Sequence, residues 1–236
     1  MRPVFNFLIL AALSIWFFFH PSPVNGQDTI YQSSVSYSAG YSLPYSLFAE
    51  KTFARMAGFS SGGPVIDFRY QHFYGKQRIF GLFADASFTS HFFNEKSYTS
   101  AYEQRLDIEG DLQITAGNYM FAVTRVGILL SLPEFAGTRI ILDAGLGAAF
   151  CYHPELSVYN TYWGQINTVP PDLDAKIMSA AGVSVEHSIN RSTAILLSWS
   201  AHGFTPSFRD DVGEHTIYFD LPVRYMNFTL GISRYF

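Results

Sequence analysis

The chain of 236 residues has one cysteine, Cys151. With no second thiol an intramolecular disulfide cannot form, so stability has to come from the fold itself. Cys151 also lies far from the N-terminus, which excludes the acylated cysteine of a lipoprotein. Charge is scarce as well: Asp, Glu, Lys and Arg make up 14% of the chain, against roughly 25% in an ordinary soluble domain. The formal net charge of -4 leaves no basic footprint for nucleic acid, which is excluded as a partner. Beyond residue 27 no run is long and apolar enough for a transmembrane helix. A phosphate-binding G-x-x-x-x-G-K loop, a G-x-S-x-G elbow, an H-E-x-x-H pair and a cysteine pair are all missing. The common signatures of soluble enzymes are therefore absent, no cofactor is expected, and the chain is read as a non-enzyme.

What is present is aromatic. Phe, Trp and Tyr reach 17% while the mean hydropathy stays at +0.11. Apolar residues thus alternate with polar ones instead of clustering. The N-terminus differs: Arg2 supplies a short positive start, Leu8 to Phe19 is apolar, and Val24-Asn25-Gly26 offers small residues before Gln27. Pro21 and Pro23 cut the run too short for an anchor, so residues 1-26 read as a cleaved secretory signal and residues 27-236 as one domain. Losing Arg2 takes the formal charge from -4 to -5.

Period two dominates the remainder. Between Ile140 and Tyr152 one face carries Ile140, Leu142, Ala144, Leu146, Ala148, Phe150 and Tyr152. The other carries Ile141, Asp143, Gly145, Gly147, Ala149 and Cys151. Such alternation is a strand with a greasy side and a small, partly polar side. The same rule marks Tyr31 to Tyr41, Pro64 to Tyr74, Phe80 to Phe88, Tyr119 to Leu132, Lys176 to Ser188, Thr193 to Gly203 and Arg224 to Phe236, giving eight strands. Their connections alternate between tight (Gly75 to Arg78, Pro133 to Gly137, Ile189 to Arg191) and long, polar and proline-bearing. This is the pattern of an all-β, antiparallel, up-and-down transmembrane barrel in the bacterial outer membrane, with both termini periplasmic.

One segment strains that reading. Leu106, Ile108, Leu112 and Ile114 continue the parity of Met120 to Leu132, and a single strand that long would run roughly 85 Å at about 3.3 Å per residue. The third and fourth strands are expected to project as a ribbon; a turn at Thr115-Ala116-Gly117-Asn118 and ten strands is the alternative. Interior volume decides which face meets lipid. Eight strands leave room only for side chains or one small ligand, and the apolar faces hold too many Phe, Tyr, Leu and Ile to fit inside. The apolar side therefore faces outward.

The signal, the alternating strands, Leu142-Asp143-Ala144-Gly145-Leu146-Gly147 and the ending Leu230-Gly231-Ile232-Ser233-Arg234-Tyr235-Phe236 resemble the small outer-membrane β-barrel domain family common in Bacteroidetes, related in shape to OmpX and the OmpA barrel. The resemblance implies location and fold more than activity. It implies outer-membrane lipids and the barrel-insertion machinery as partners, the latter through the C-terminal Phe236. Arg234 departs from the usual apolar position and is expected to snorkel toward headgroups.

Within that frame the inward charges should form a lumen network of Arg69, Asp85, Arg125 and Asp143 together with Glu186, because buried charges persist when paired. Arg69 stands directly across from Asp85 if their turn is centred on Gln77. Arg125 and Asp143 stand directly or one step diagonally across a turn near Glu134 or Phe135. A rim site is drawn from His91, His153 and His202, with Ser200 and Cys151 one step below, as a metal site or a general base beside Ser200. Ser200-Ala201-His202 has the residue types of outer-membrane lipid A deacylases in reverse order. Solvated lumen lining is the ordinary reading of all of these. Tyr159, Tyr162 and Trp163 suit a sugar or an extracellular or secretion-system protein partner, although loop aromatics more often anchor at the membrane surface. The function read from the sequence is a structural or partner-binding role through long extracellular loops, with a lipid-modifying enzyme or a narrow channel as alternatives.

The mature chain should partition to the outer-membrane fraction and migrate differently on gels with and without boiling. Recovery from the periplasm without detergent would overturn the barrel.

Overall fold

The computed structural model describes residues 32–52, 57–75, 77–106, 112–162, 164–212 and 215–236. The expected signal segment, Ile108 and Trp163 lie outside these residues. Eight strands close a barrel: β1 (Ser33–Pro44), β2 (Gly63–Tyr74), β3 (Phe80–His91), β5 (Tyr119–Ser131), β6 (Thr138–His153), β9 (Asp172–Asn190), β10 (Thr193–Phe204) and β13 (Val223–Tyr235). All neighbours are antiparallel, and β1 seals against β13 from Ser34 opposite Tyr235 to Pro44 opposite Tyr225. Tight turns gather at one end, with both ends of the barrel chain, and the long connections gather at the other.

The alternation sets the two faces. Val126, Ile128, Leu146 and Leu230 point outward and are each more than 60% exposed, whereas Arg125, Leu129, Asp143 and Thr229 from the same strands are buried. On β13 the outward residues Met226, Phe228, Leu230 and Ile232 are bracketed by Arg224 and Arg234. That bracket covers roughly 33 Å of strand, or about 25 Å along the axis of a tilted barrel, the height of an outer-membrane apolar band. A barrel greasy outside and polar inside is built for lipid, not for water.

The turn between β5 and β6 falls on Ala136 and Gly137, both at positive φ (50° and 74°), with Phe135 and Thr138 bonding each other at 2.9 Å. A two-residue hairpin turn of this hand needs positive φ at both positions, which glycine adopts freely. The turn thus sits past the expected Glu134 or Phe135, and Arg125 falls opposite Gly147, not beside Asp143.

The expected ribbon on the third and fourth barrel strands does not form. β3 and β5 stop pairing at His91 opposite Tyr119, and β3 leads into helix α1 (Glu95–Leu106). Leu106 is helical, not part of a strand. Asn94 starts the helix by accepting the Ser97 amide at 3.0 Å, a standard N-cap bond. After it β4 (Leu112–Ala116) shares the parity of β5, but the chain breaks at Gly117 and Asn118. β4 then pairs with β7 (Leu156–Asn160), which pairs with β8 (Gly164–Val169), in a separate three-stranded sheet. A projecting ribbon does exist on other strands: β10 leaves β9 at Gly203 opposite Ser179, while β6 and β9 stay paired as far as His153 opposite Asp172.

The long connections therefore form a folded cap. Its core is Phe59, Tyr98, Leu112, Leu156, Val158 and Val169, with Tyr102 and Ile114 packed against it. The Glu95 carboxylate accepts the Ala116 amide at 2.9 Å and ties α1 to β4. Beside the sheet, β11 (Ser207–Val212) and β12 (His215–Asp220) form a hairpin held to β9, where Asp174 accepts the Ser207 amide at 2.7 Å and Asp172 the Arg209 amide at 2.8 Å.

Replacing outward-facing Val126 by Arg should lower the stability of the inserted barrel by roughly 2–4 kcal/mol if the residue sits at the bilayer midplane. Urea unfolding in lipid vesicles measures it. A Val126→Arg barrel as stable as the parent would place this face out of the membrane.

Candidate functional site

At mid-height the lumen holds a closed ring of four charges. The Arg69 guanidinium donates to Asp85 and to Asp143, each at 3.1 Å. Arg125 donates through Nε to both Asp85 oxygens at 2.8 Å and through Nη1 to Asp143 at 3.3 Å. Each arginine thus bridges both carboxylates and each carboxylate serves both arginines. Both guanidiniums lie over the Phe83 ring, 4.7 and 5.1 Å from its centroid, adding a cation–π contact on the apolar side.

Register explains how the ring closes. Arg69 is directly opposite Asp85. Arg125 is opposite Gly147, and a side chain there would push a Cβ to 1.9 Å from the Thr124 carbonyl oxygen. Glycine at 147 leaves the space in which Arg125 extends along the lumen to Asp143. Asp67 is half-buried on the same inward face of β2.

Glu186 belongs to a second cluster nearer the turn end. It pairs with Arg139 and accepts from Gln71 at 2.8 Å, from Ser233 at 3.2 Å and from the Tyr235 hydroxyl. Arg139 stacks over Phe73 at 4.4 Å. Sequence reading missed Arg139 because it began that strand at Ile140. Carrying the parity back one residue puts position 139 on the inward face, where its charge needs a partner.

The three histidines do not converge. His91 bonds Ser42 at 3.0 Å and lies edge-on to Phe48 and Tyr225, both 5.3 Å away. His202 stacks on Tyr225 at 4.7 Å and bonds Ser200 at 2.8 Å and Asn227 at 3.3 Å. His153 sits between Tyr119 at 5.3 Å and Phe208 at 4.9 Å. Cys151 is buried in the same aromatic layer. Among the described residues no three His, Cys, Asp or Glu side chains are grouped to hold a metal. Tyr225 and Tyr119 occupy the space where the rings would have met, so the expected rim site is instead the polar edge of an aromatic plug.

That plug closes the loop end. Phe48, from a 3-10 turn between β1 and β2, inserts against Tyr119 and Phe121 with ring centroids 5.2 and 5.6 Å away and is fully buried. Phe121, Phe204, Phe208, Leu221, Val223 and Tyr225 complete the layer. Ser200 and His202 lie beneath it, both buried. On the cap, Tyr159 and Tyr162 are exposed.

No protein-family model and no curated protein matches the sequence. Solved structures do. Neisserial surface protein A (NspA) superposes with a TM-score of 0.51 at 9% identity, covering 86% of this chain and 97% of that one. Ail of Yersinia pestis gives a TM-score of 0.44 at 12% identity, covering 87% of this chain and 99% of that one. The N-terminal barrel domain of OprF from Pseudomonas aeruginosa gives 0.45 at 11%, covering the same 87% and 99%. The fold is that of the small eight-stranded outer-membrane barrels.

Removing one carboxylate from the ring should be severe, since it leaves two buried guanidiniums to share the other. Asp85→Ala is expected to cost roughly 3–5 kcal/mol, read as a fall in the temperature at which the folded gel band is lost. Unchanged thermal stability would mean that the ring does not hold the lumen.

Proposed function

We propose that this protein is a non-conducting barrel of the bacterial outer membrane, with both termini in the periplasm, whose folded loop-end cap is an outward-facing surface for an extracellular or secretion-system protein partner. The observation that carries this reading is the cap's own apolar core, Phe59, Tyr98, Leu112, Leu156, Val158 and Val169, above a lumen with packed clusters of its own at the loop end and toward the tight turns. Ordering that many loop residues costs on the order of 1–2 kcal/mol of backbone entropy each. The eight barrel strands pair around the whole ring without the three-stranded cap sheet, so a preorganised surface is the feature that this sheet serves. Short turns at one end and structured long connections at the other support the orientation.

A channel is disfavoured by the arginine–aspartate ring at mid-height and by the aromatic layer at the loop end, both of which occupy the lumen. A lipid hydrolase is disfavoured because Ser200 and His202, although bonded at 2.8 Å, lie under Tyr225, Phe204 and Phe121, out of reach of an acyl chain. The exposed apolar belt supports contact with membrane lipids.

Two measurements test the reading. In planar bilayers the purified protein should show no single-channel conductance; discrete openings would replace the binding role with a channel. A variant in which residues 155–171 are replaced by a short turn should still show heat-shifted gel mobility but lose surface binding when displayed on cells. Retained binding would move the active surface off the β7–β8 hairpin.

A further inference from the structure

The mature chain is acidic, yet one cleft in the cap is basic. It has a volume of about 490 Å³ and is lined by Lys51, Lys96 and Arg105 with Thr52, Ser97, Ser100, Ala101 and Gln104. None of these residues is a carboxylate. The cleft has two walls. One is the solvent face of α1, where Lys96, Ser100 and Gln104 follow each other at four-residue spacing, while Tyr98 and Tyr102 on the far side pack into the cap core. The other is the segment after the 3-10 turn of the β1–β2 connection.

That second wall is held in place. Phe48 is sunk in the plug, the Gly58 amide bonds Leu47 at 2.9 Å, and the Phe59 amide bonds Glu50 at 3.2 Å. The Glu50 carboxylate is turned back on its own loop, accepting the Lys51 amide at 3.1 Å and the Thr52 hydroxyl at 3.0 Å. It orders Lys51 and Thr52. Neither the Lys51 nor the Lys96 ammonium has an ion pair among the described residues. Both ammonium groups line the same cleft and stand open to solvent, so an anion entering it meets two cations.

We propose that this cleft binds a phosphate monoester, with Lys51 and Lys96 clamping its charge and the Ser97 and Ser100 hydroxyls completing the donor set. The volume lies within the range of small-molecule sites and has room for the sugar or headgroup that carries the phosphate. The proposal rests on the reading of the cap as a binding surface and names the chemistry one part of it recognises. The phosphate has two sources: the headgroup of a lipid in the surrounding leaflet, or a soluble phosphorylated ligand.

The test uses the full mature barrel in zwitterionic nanodiscs, with inorganic phosphate titrated at constant ionic strength and backbone amide shifts of residues 96–105 as the readout. Saturable shifts confined to the cleft are expected, absent with chloride and weakened roughly tenfold in Lys51→Ala/Lys96→Ala. Heat-shifted gel mobility checks that the variant is folded, and Ser100→Ala gives a milder second variant. A parallel sample with phosphatidic acid in the disc and no added phosphate separates the sources: cleft shifts there assign a lipid headgroup, and shifts with soluble phosphate alone assign a soluble ligand. Equal response to chloride, shifts scattered over the cap, or full affinity in the double-lysine variant would each overturn the site. Those failures would leave the cap's role in protein binding standing, because that role is read by a separate experiment, replacement of the β7–β8 hairpin, which contributes no residue to the cleft lining.

Discussion

Everything inside this barrel depends on one constraint: a lumen walled by eight strands is too narrow to hydrate the charges it contains. The outward face is given over to Val, Ile, Leu and aromatic residues, so charges on the spanning strands must turn inward. There they have to satisfy one another. Arg69, Asp85, Arg125 and Asp143 do so as a ring in which every charge has two partners. A chain of isolated pairs would leave lone pairs and guanidinium hydrogens unspent, whereas the ring uses both carboxylate oxygens and shares the two arginines between opposite walls. Because Arg69 on β2 reaches Asp143 on β6, three strands around the wall, the ring also cross-braces the barrel.

The two ends of the lumen follow from where the ring sits. Toward the tight turns the filling is Phe73, Phe83, Leu129 and Ile141 with the Glu186 and Arg139 cluster. Toward the long connections it is aromatic, and part of that filling comes from the connections themselves: Phe48 from one loop, Phe208 and Leu221 from another. Plugging and capping are therefore one act of folding. The same loops that close the lumen are positioned by it to build the sheet, helix and hairpin above. A surface so anchored can present fixed geometry to a partner, which freely moving loops could do only at an entropic cost on binding.

The sequence also shows where parity stops being informative. Leu112 and Ile114 share the period of β5, and on pattern alone they belong to it. Gly117 and Asn118 interrupt the chain, and a helix opened by Asn94 takes up the length that a ribbon would have needed. Alternation fixes which side of a strand is apolar, but it carries no information on which strand lies alongside. Likewise the inward parity of His91, His153 and His202 was legible, while their separation was not, because the aromatic residues that stand between them come from distant loops and from β13.

By itself the sequence favoured eight barrel strands over ten and determined the faces, the positions of the tight turns to within two residues and the direct opposition of Arg69 and Asp85, since all of these follow from period two and local turn chemistry. Only the tertiary structure decided that Arg125 reaches Asp143 past Gly147, that Glu186 takes Arg139 as its partner, and that the long connections fold into a cap. The physical reason is that register and local propensity act between neighbours in the chain or across one hairpin. Which charges meet across a closed lumen depends on the shear of the whole barrel, and which loops pack together depends on an apolar core assembled from three separate connections.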